Sequence, residues 1–219
     1  MSTSKQLDEI AQRISARFER IDQARDQGIH LHRKVIKASS LAIRAIHRRE
    51  FDEAEKNLTQ AQELLQQACK ALEDYPSIFH AGFLQDAQKE YAEARITQAV
   101  ISGRPLPEPE QLEVDFPPFL NGLAEAVGEL RRHILDRIRL GQLEEAERVL
   151  AVMDDIYYTL ITMDFPDAIT KGLRRSTDVA RGCLERTRGD LTNHFGRRKI
   201  DAGIEFIKAR LDEREISKV

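Results

Sequence analysis

Apolar residues return every three or four positions along most of this chain, the spacing of amphipathic helices, and no strand-type alternation persists anywhere. Ile10, Ile14, Phe18 and Ile21, then Val35, Ile36, Leu41, Ile43 and Ile46, predict a first long helix from about Lys5 to Arg48. Gly28 falls inside it and marks either a break or a close contact. Leu58, Ala61, Leu64, Leu65, Ala68 and Leu72 share one stripe of a second helix, about Asp52 to Asp74. Pro76 stops that helix and suits the first turn of a third, which runs to about Ser102.

The following stretch, GRPLPEPEQLEVDFPP, holds five prolines and is the one long connection, with room for a short helical turn near Glu108 to Leu112. A fourth main helix is expected from Pro118 to about Leu140, with Gly141 as its C-terminal stop, and a fifth from Leu143 to Met163. Asp164 is placed to cap a sixth that ends near Leu191. Ile200, Ile204, Ile207 and Leu211 are in phase for a seventh, Thr192 to Ser217. The expected fold is all-α: a single seven-helix bundle forming one domain over 1–219, with 191–219 as its C-terminal helix and tail. The helices flanking the proline-rich loop are too few to make two independent cores.

Composition sharpens this picture at three points. With 41% hydrophobic and 32% charged residues, the helices need one apolar and one wet face. No apolar run reaches the roughly 20 residues needed to span a bilayer, and the polar, acid-bearing start MSTSKQLDEIAQRI does not resemble a signal or transit peptide. Cys69 and Cys183 lie far apart without metal-type spacing, as expected of free thiols in a reducing compartment, so a cytoplasmic protein is expected.

The net charge of −3 argues against a nucleic-acid binder that uses its whole surface, but the average hides local excess. Between Arg17 and Arg49 stand nine basic residues against three acids, and between Arg174 and Arg210 ten against five. Ordinary solvated faces account for such runs. Equally, the two zones form one basic surface if the fold brings the first and last helices together.

Two acid pairs draw attention. Glu90 and Glu93, in QKEYAEA, are three apart and project to one side of a helix. Glu90 falls within the stripe of Phe79, Phe83, Ala87, Ala94 and Ile101, where a carboxylate is costly unless paired or metal-bound. Glu125 and Glu129, in GLAEAVGELRR, are four apart and face away from Leu120, Leu123, Val127, Leu130, Ile134 and Ile138, with Arg132 and Asp136. Gly122 and Gly128 suggest that something packs or binds close to that backbone. Joined, the pairs offer four carboxylates to Mg²⁺ or Mn²⁺, hard cations that take oxygen ligands. Taken from spacing alone, a solvated face fits as well, since 37 of 219 residues are acidic and such pairs arise by chance. His30 and His32, two apart, fall on different helix faces and suit a metal poorly, while His47, His80, His133 and His194 have no partner at ligand spacing and are expected at the surface or against RNA. Phosphate-binding glycine loops and nucleophile motifs are absent, and so is the Glu-x-x-His of di-iron bundles.

Five segments in order, HRKVIKASSLAIRAIHRREFDEA, LQDAQKEYAEA, FLNGLAEAVGELRR, GQLEEAERVLAVMDDIYYTLITMDFPDAI and LRRSTDVARGCLERTRGDL, resemble the translin/Trax family over about Asp22 to Leu191. The resemblance implies a seven-helix bundle that assembles into hollow, often octameric, homo-oligomeric shells binding single-stranded RNA or DNA. Trax-type subunits also cut RNA, and their acidic residues carry over onto Glu90, Glu93, Glu125 and Glu129 as catalytic, metal-binding groups. Glu125 departs from the family's Asp, keeping the charge and lengthening it by one methylene. The implied function is a Mg²⁺- or Mn²⁺-dependent endoribonuclease, and the alternative is a non-catalytic binder of translin type. The resemblance also has the wet face of the fourth helix line an enclosed cavity. Arg132, better placed than Arg131, and Arg33, Lys34, Lys37, Arg44, Arg174, Arg175 and Arg181 are then candidates for phosphate contacts. Tyr91, Phe79 and Phe83 are candidates either to stack on bases or, as aromatics in a helical stripe, to fill the core.

Overall fold

The structure, a computed structural model, describes residues 3–216, with side chains to Lys208 and at Arg210. Ser217 and the Leu211 side chain, both expected in the last helix, lie outside the described residues. Among them the chain is all-helical, in nine segments: α1 Thr3–His47, α2 Phe51–Leu72, α3 Pro76–Phe79, α4 Phe83–Ser102, α5 Pro109–Leu112, α6 Phe116–Arg139, α7 Leu143–Ile161, α8 Asp167–Thr170 and α9 Leu173–Ile216.

The expected stripes are largely buried in the middle of the chain, whereas Ile10, Ile14 and Phe18 early in α1 and Ile200, Ile204 and Ile207 late in α9 are exposed. α1 buries Leu31, Val35, Ala38, Ala42 and Ile46, and α2 buries Ala54, Leu58, Ala61, Leu65, Ala68 and Leu72. Alanine at every other buried position of α2 brings that helix close against α1, and each fully buried leucine contributes about 2 kcal/mol. Gly28 is a close contact and not a break: a Cβ there would meet Leu72 Cδ1 at 3.0 Å and Phe83 at 3.1 Å, and α1 runs straight through. α1 packs on α2 and α4, α4 on α6, and α6 on α7 and α9.

Three boundaries differ from the pattern-based expectation. The third helix is split, because Gly82 at φ +96° turns the chain between α3 and α4. The sixth and seventh helices are one, because nothing between Leu191 and Ile200 breaks the ladder and Gly196 stays helical. That helix starts at Leu173 rather than near Pro166, since Lys171 and Gly172 both take left-handed backbone (φ 52° and 88°). Asp167, not Asp164, ties this corner, accepting the Gly172 amide at 2.7 Å. The short turn in the proline-rich loop is α5, closed by a capping box between Glu108 and Gln111.

α1 and α9 pack on different partners, α1 with α2 and α4, α9 with α6 and α7. The two basic zones therefore do not merge through packing of the first helix on the last. Among the described residues no helix is long and apolar enough to cross a membrane.

Candidate functional site

The site is built where α6 crosses α4. Gly122 lets the two backbones touch: a Cβ on it would lie 2.7 Å from the Lys89 carbonyl oxygen and 3.0 Å from the Glu93 nitrogen. This contact sets the Glu90–Glu93 side of α4 beside Glu125 of α6. At Gly128 no packed neighbour approaches, and open space lies where its Cβ would be. It faces a cleft of about 770 Å³ between α4, α6 and the start of α9. Asn121 fixes that third wall, donating to the Thr170 carbonyl at 3.0 Å and accepting from the Ser176 hydroxyl at 2.8 Å.

Carboxylate oxygens of Glu90, Glu93 and Glu125 all lie within 4.8 Å of one another. Glu93 is the deepest, 9% exposed. Burial first, then the charges of Glu90, Glu125 and Glu129, push its carboxyl from the ordinary 4.5 up to about 8, against a weaker opposite pull from Lys89. Glu90 is also raised, mainly by burial, with Lys89 opposing. The stripe that singled out Glu90 holds within α4, where Ala87, Ala94 and Ile101 are buried and Glu90 is half-buried, but α4 is covered on other faces as well and Glu93 lies deeper. Lys89 closes the cluster, its Nζ donating to Glu125 Oε1 at 2.8 Å.

Glu129, the fourth acid, stands apart from this trio. Its Oε2 accepts from His47 Nε2 at 2.5 Å, and Arg132 reaches it at 3.9 Å. That hydrogen bond outweighs burial and lowers the Glu129 carboxyl below its ordinary value. His47, expected at the surface or against RNA, has a side chain only 4% exposed. His133, of the same expectation, is 2% exposed and pairs with Glu145 at 2.9 Å. Both correct the histidine reading: residues from distant helices supply partners that no local spacing reveals. Tyr91 is fully buried and hydrogen-bonded to Arg95, which removes it from base stacking, while Phe79 and Phe83 are half-buried against the core.

The expected phosphate-contacting residues are all exposed, Arg33, Lys34, Lys37 and Arg44 along α1, Arg132 on α6, and Arg174, Arg175 and Arg181 on α9. Of these only Arg175 lines the cleft. Arg181 is tied to Glu185 at 2.8 Å. The cleft brings in three cations not singled out in the sequence: Lys89, Lys171 and Arg186. The signal for one was present, because Arg175 and Arg186 are eleven residues apart, about three helical turns, and so share a face.

An all-helical bundle with an acid cluster that opens on a cleft through Glu93 and Glu125, and cations on another wall of that cleft, defines the class of protein. No family model matches the chain. Two solved structures of AfC3PO, one alone and one in complex with duplex RNA, are 38% identical with a TM-score of 0.79, covering 86% of this chain and 97–98% of theirs. The structure of apo-NeC3PO shares the fold, with a TM-score of 0.69 at 21% identity over 89% of this chain and 98% of that one. An uncharacterised protein of Methanocaldococcus jannaschii is 27% identical over 194 residues, 88% of this chain and 86% of the relative. AfC3PO and NeC3PO are translin/Trax-family proteins, and this chain belongs to the translin/Trax family.

Proposed function

We propose that this protein is a metal-dependent endoribonuclease that acts on single-stranded RNA, in the cytoplasm and as a homo-oligomer. The observation that carries the reading is the meeting of Glu90, Glu93 and Glu125, of which Glu93 and Glu125 line a cleft that Lys171, Arg175 and Arg186 also line. The donor set fits Mg²⁺ or Mn²⁺: all oxygens, three carboxylates within reach of one ion, and a buried Glu93 whose charge the protein leaves undercompensated. A bound ion supplies polarisation of the phosphodiester and a more acidic attacking water. The cations of α9 hold the strand by its phosphates. Glu129, kept ionised by His47, is the group to orient the attacking water.

RNA as the ligand is supported by the AfC3PO complex with duplex RNA. A cleft of about 770 Å³ has room for a few nucleotides of one strand. Assembly is supported by exposed apolar side chains, Leu7, Ile10, Ile14 and Phe18 on α1 and Ile200, Ile204 and Ile207 on α9. The free thiols of Cys69 and Cys183 suit a reducing compartment.

One observation favours a second reading, a nucleic-acid binder without catalysis. Glu125 already has Lys89 and Glu129 already has His47, so two of the four acids are satisfied within the fold. Cleavage of labelled single-stranded and duplex RNA, with Mg²⁺, Mn²⁺ or EDTA, separates the two. Metal-dependent cutting by the wild type, lost in Glu93→Gln, supports the nuclease. Binding without cutting under either metal supports the binder.

A further inference from the structure

Lys89 stands inside the acid cluster rather than at its rim. Its Nζ is 2.8 Å from Glu125 Oε1 and 3.9 Å from Glu90 Oε1, so one ammonium bridges two of the three clustered carboxylates. It is also a lining residue of the cleft, on the wall facing Arg175 and Arg186. Its side chain retains 23% exposure, which leaves the head group a path out. The backbone beneath it has no such freedom, because the Lys89 carbonyl is pressed against Gly122. An ammonium and a divalent cation compete for the same oxygen lone pairs, and the flexible four-carbon stem of a lysine lets the head group move without the helix.

We propose that Lys89 is the resident counter-ion of the acid cluster, which a divalent cation displaces from Glu125 and which then turns into the cleft to hold a phosphate of the bound strand. The inference rests on the metal-binding reading above and adds to it a residue with two successive partners. In the metal-free protein Lys89 offsets the repulsion between Glu90 and Glu125. In the metal-bound protein its charge is released to the phosphate side, where a third cation joins those of α9.

The test measures Mn²⁺ binding to the full chain without RNA, by electron paramagnetic resonance of free Mn²⁺, for the wild type, Lys89→Gln and Lys89→Arg. Removing the competing charge is expected to tighten Mn²⁺ binding about tenfold in Lys89→Gln, while Lys89→Arg stays near the wild type. At saturating Mn²⁺, binding of a non-cleavable RNA analogue to Lys89→Gln is expected to lose about one unit of its salt slope. Wild-type Mn²⁺ binding with unchanged affinity in Lys89→Gln overturns the counter-ion role and leaves the metal-binding reading standing. An unchanged salt slope overturns the phosphate role. Failure of the wild type to bind Mn²⁺ at all overturns the metal-binding reading and this inference with it.

Discussion

Glu93 and Glu129 come from the two helices that cross at the candidate site, and the fold treats them in opposite ways. Glu93, in the middle of α4, is buried among carboxylates and its carboxyl is pushed up to about 8. Glu129, on α6, is held by the His47 imidazole and its carboxyl is pulled down. The difference lies in where the compensating positive charge or donor comes from. Glu129 receives it from α1, within the chain. Glu93 receives only the weaker pull of Lys89, and its charge is well stabilised only when something from outside supplies a further cation. A protein that merely needed acids for solubility would have no reason to bury one of them uncompensated.

The comparison is tested most directly by removing the charge of Glu93 while keeping its shape. With its carboxyl raised in the fold, Glu93 binds a proton more tightly folded than unfolded. Below pH 4.5 it is protonated in both states and costs nothing. Between pH 4.5 and 8 the unfolded chain releases the proton first, so stability falls as pH rises, and above 8 the loss is complete. At pH 7 the metal-free protein carries a penalty of about 3 kcal/mol. Glu93→Gln is therefore expected to be more stable than the metal-free wild type at pH 7 by about that amount, and equal to it near pH 4. Urea denaturation at several pH values checks this, and an unchanged difference across the range would mean that Glu93 finds compensation within the chain.

A second way to break the comparison is to separate the helices that create it. Gly122→Val places two methyl groups beyond a Cβ that already meets backbone atoms at 2.7 and 3.0 Å. Those atoms belong to α4 and cannot rotate away as a side chain can, so α4 and α6 must part. The expected cost is about 2 kcal/mol, read by thermal or urea unfolding, together with a Glu93 carboxyl that falls back toward 4.5 as water enters. A stable variant with Glu93 still raised would show that the crossing is set elsewhere.

How much of this was legible in the sequence follows from the range of the interactions. The helices of the core could be read from Leu58, Leu65 and Leu72, or Val127, Leu130 and Ile134, because a stripe is a local property with a fixed period. The split at Gly82 and the continuity past Leu191 were missed because a single glycine is compatible with either outcome. Spacing singled out the four acids but left their role open, and the family resemblance supplied it. That Glu93 lies deeper than Glu90 was not legible, since the stripe marks one face of α4 and the fold covers that helix on other faces too. His47 was out of reach altogether: its partner Glu129 is 82 residues away, and only the tertiary path of α1 joins them.

His47→Leu sharpens the other half of the comparison. Leucine keeps most of the buried volume and removes the donor. The lowered carboxyl of Glu129 contributes stability above the ordinary glutamate range, and that contribution is lost as pH falls through its folded value. The variant is expected to be less stable than the wild type by about 1.5 kcal/mol at pH 7, the value of one hydrogen bond to a charged group. The gap closes in acid, where Glu129 is protonated in both proteins. Side-chain carboxyl NMR of Glu129 should show its pKa rising in the variant, and a value that stays low would assign the lowering to Arg132 instead.

The smallest expected effect concerns the wall opposite the acids. If uncompensated acids mark where a metal goes, uncompensated cations mark where phosphates go. On α9, Arg181 is tied to Glu185 and Arg188 to Asp154, while Arg175 and Arg186 have no acid partner among the described residues and line the cleft. Arg186→Ala and Arg175→Ala are each expected to weaken RNA binding by about 1 kcal/mol, about fivefold, and to reduce the salt slope of binding by about one. Arg181→Ala, in the same basic zone and already neutralised by its neighbour, should change neither. Fluorescence anisotropy with labelled single-stranded RNA over a range of salt concentrations reads both quantities. Equal losses in all three variants would mean that the basic zone binds as a diffuse surface, and that the cleft does not select the cations facing the acids.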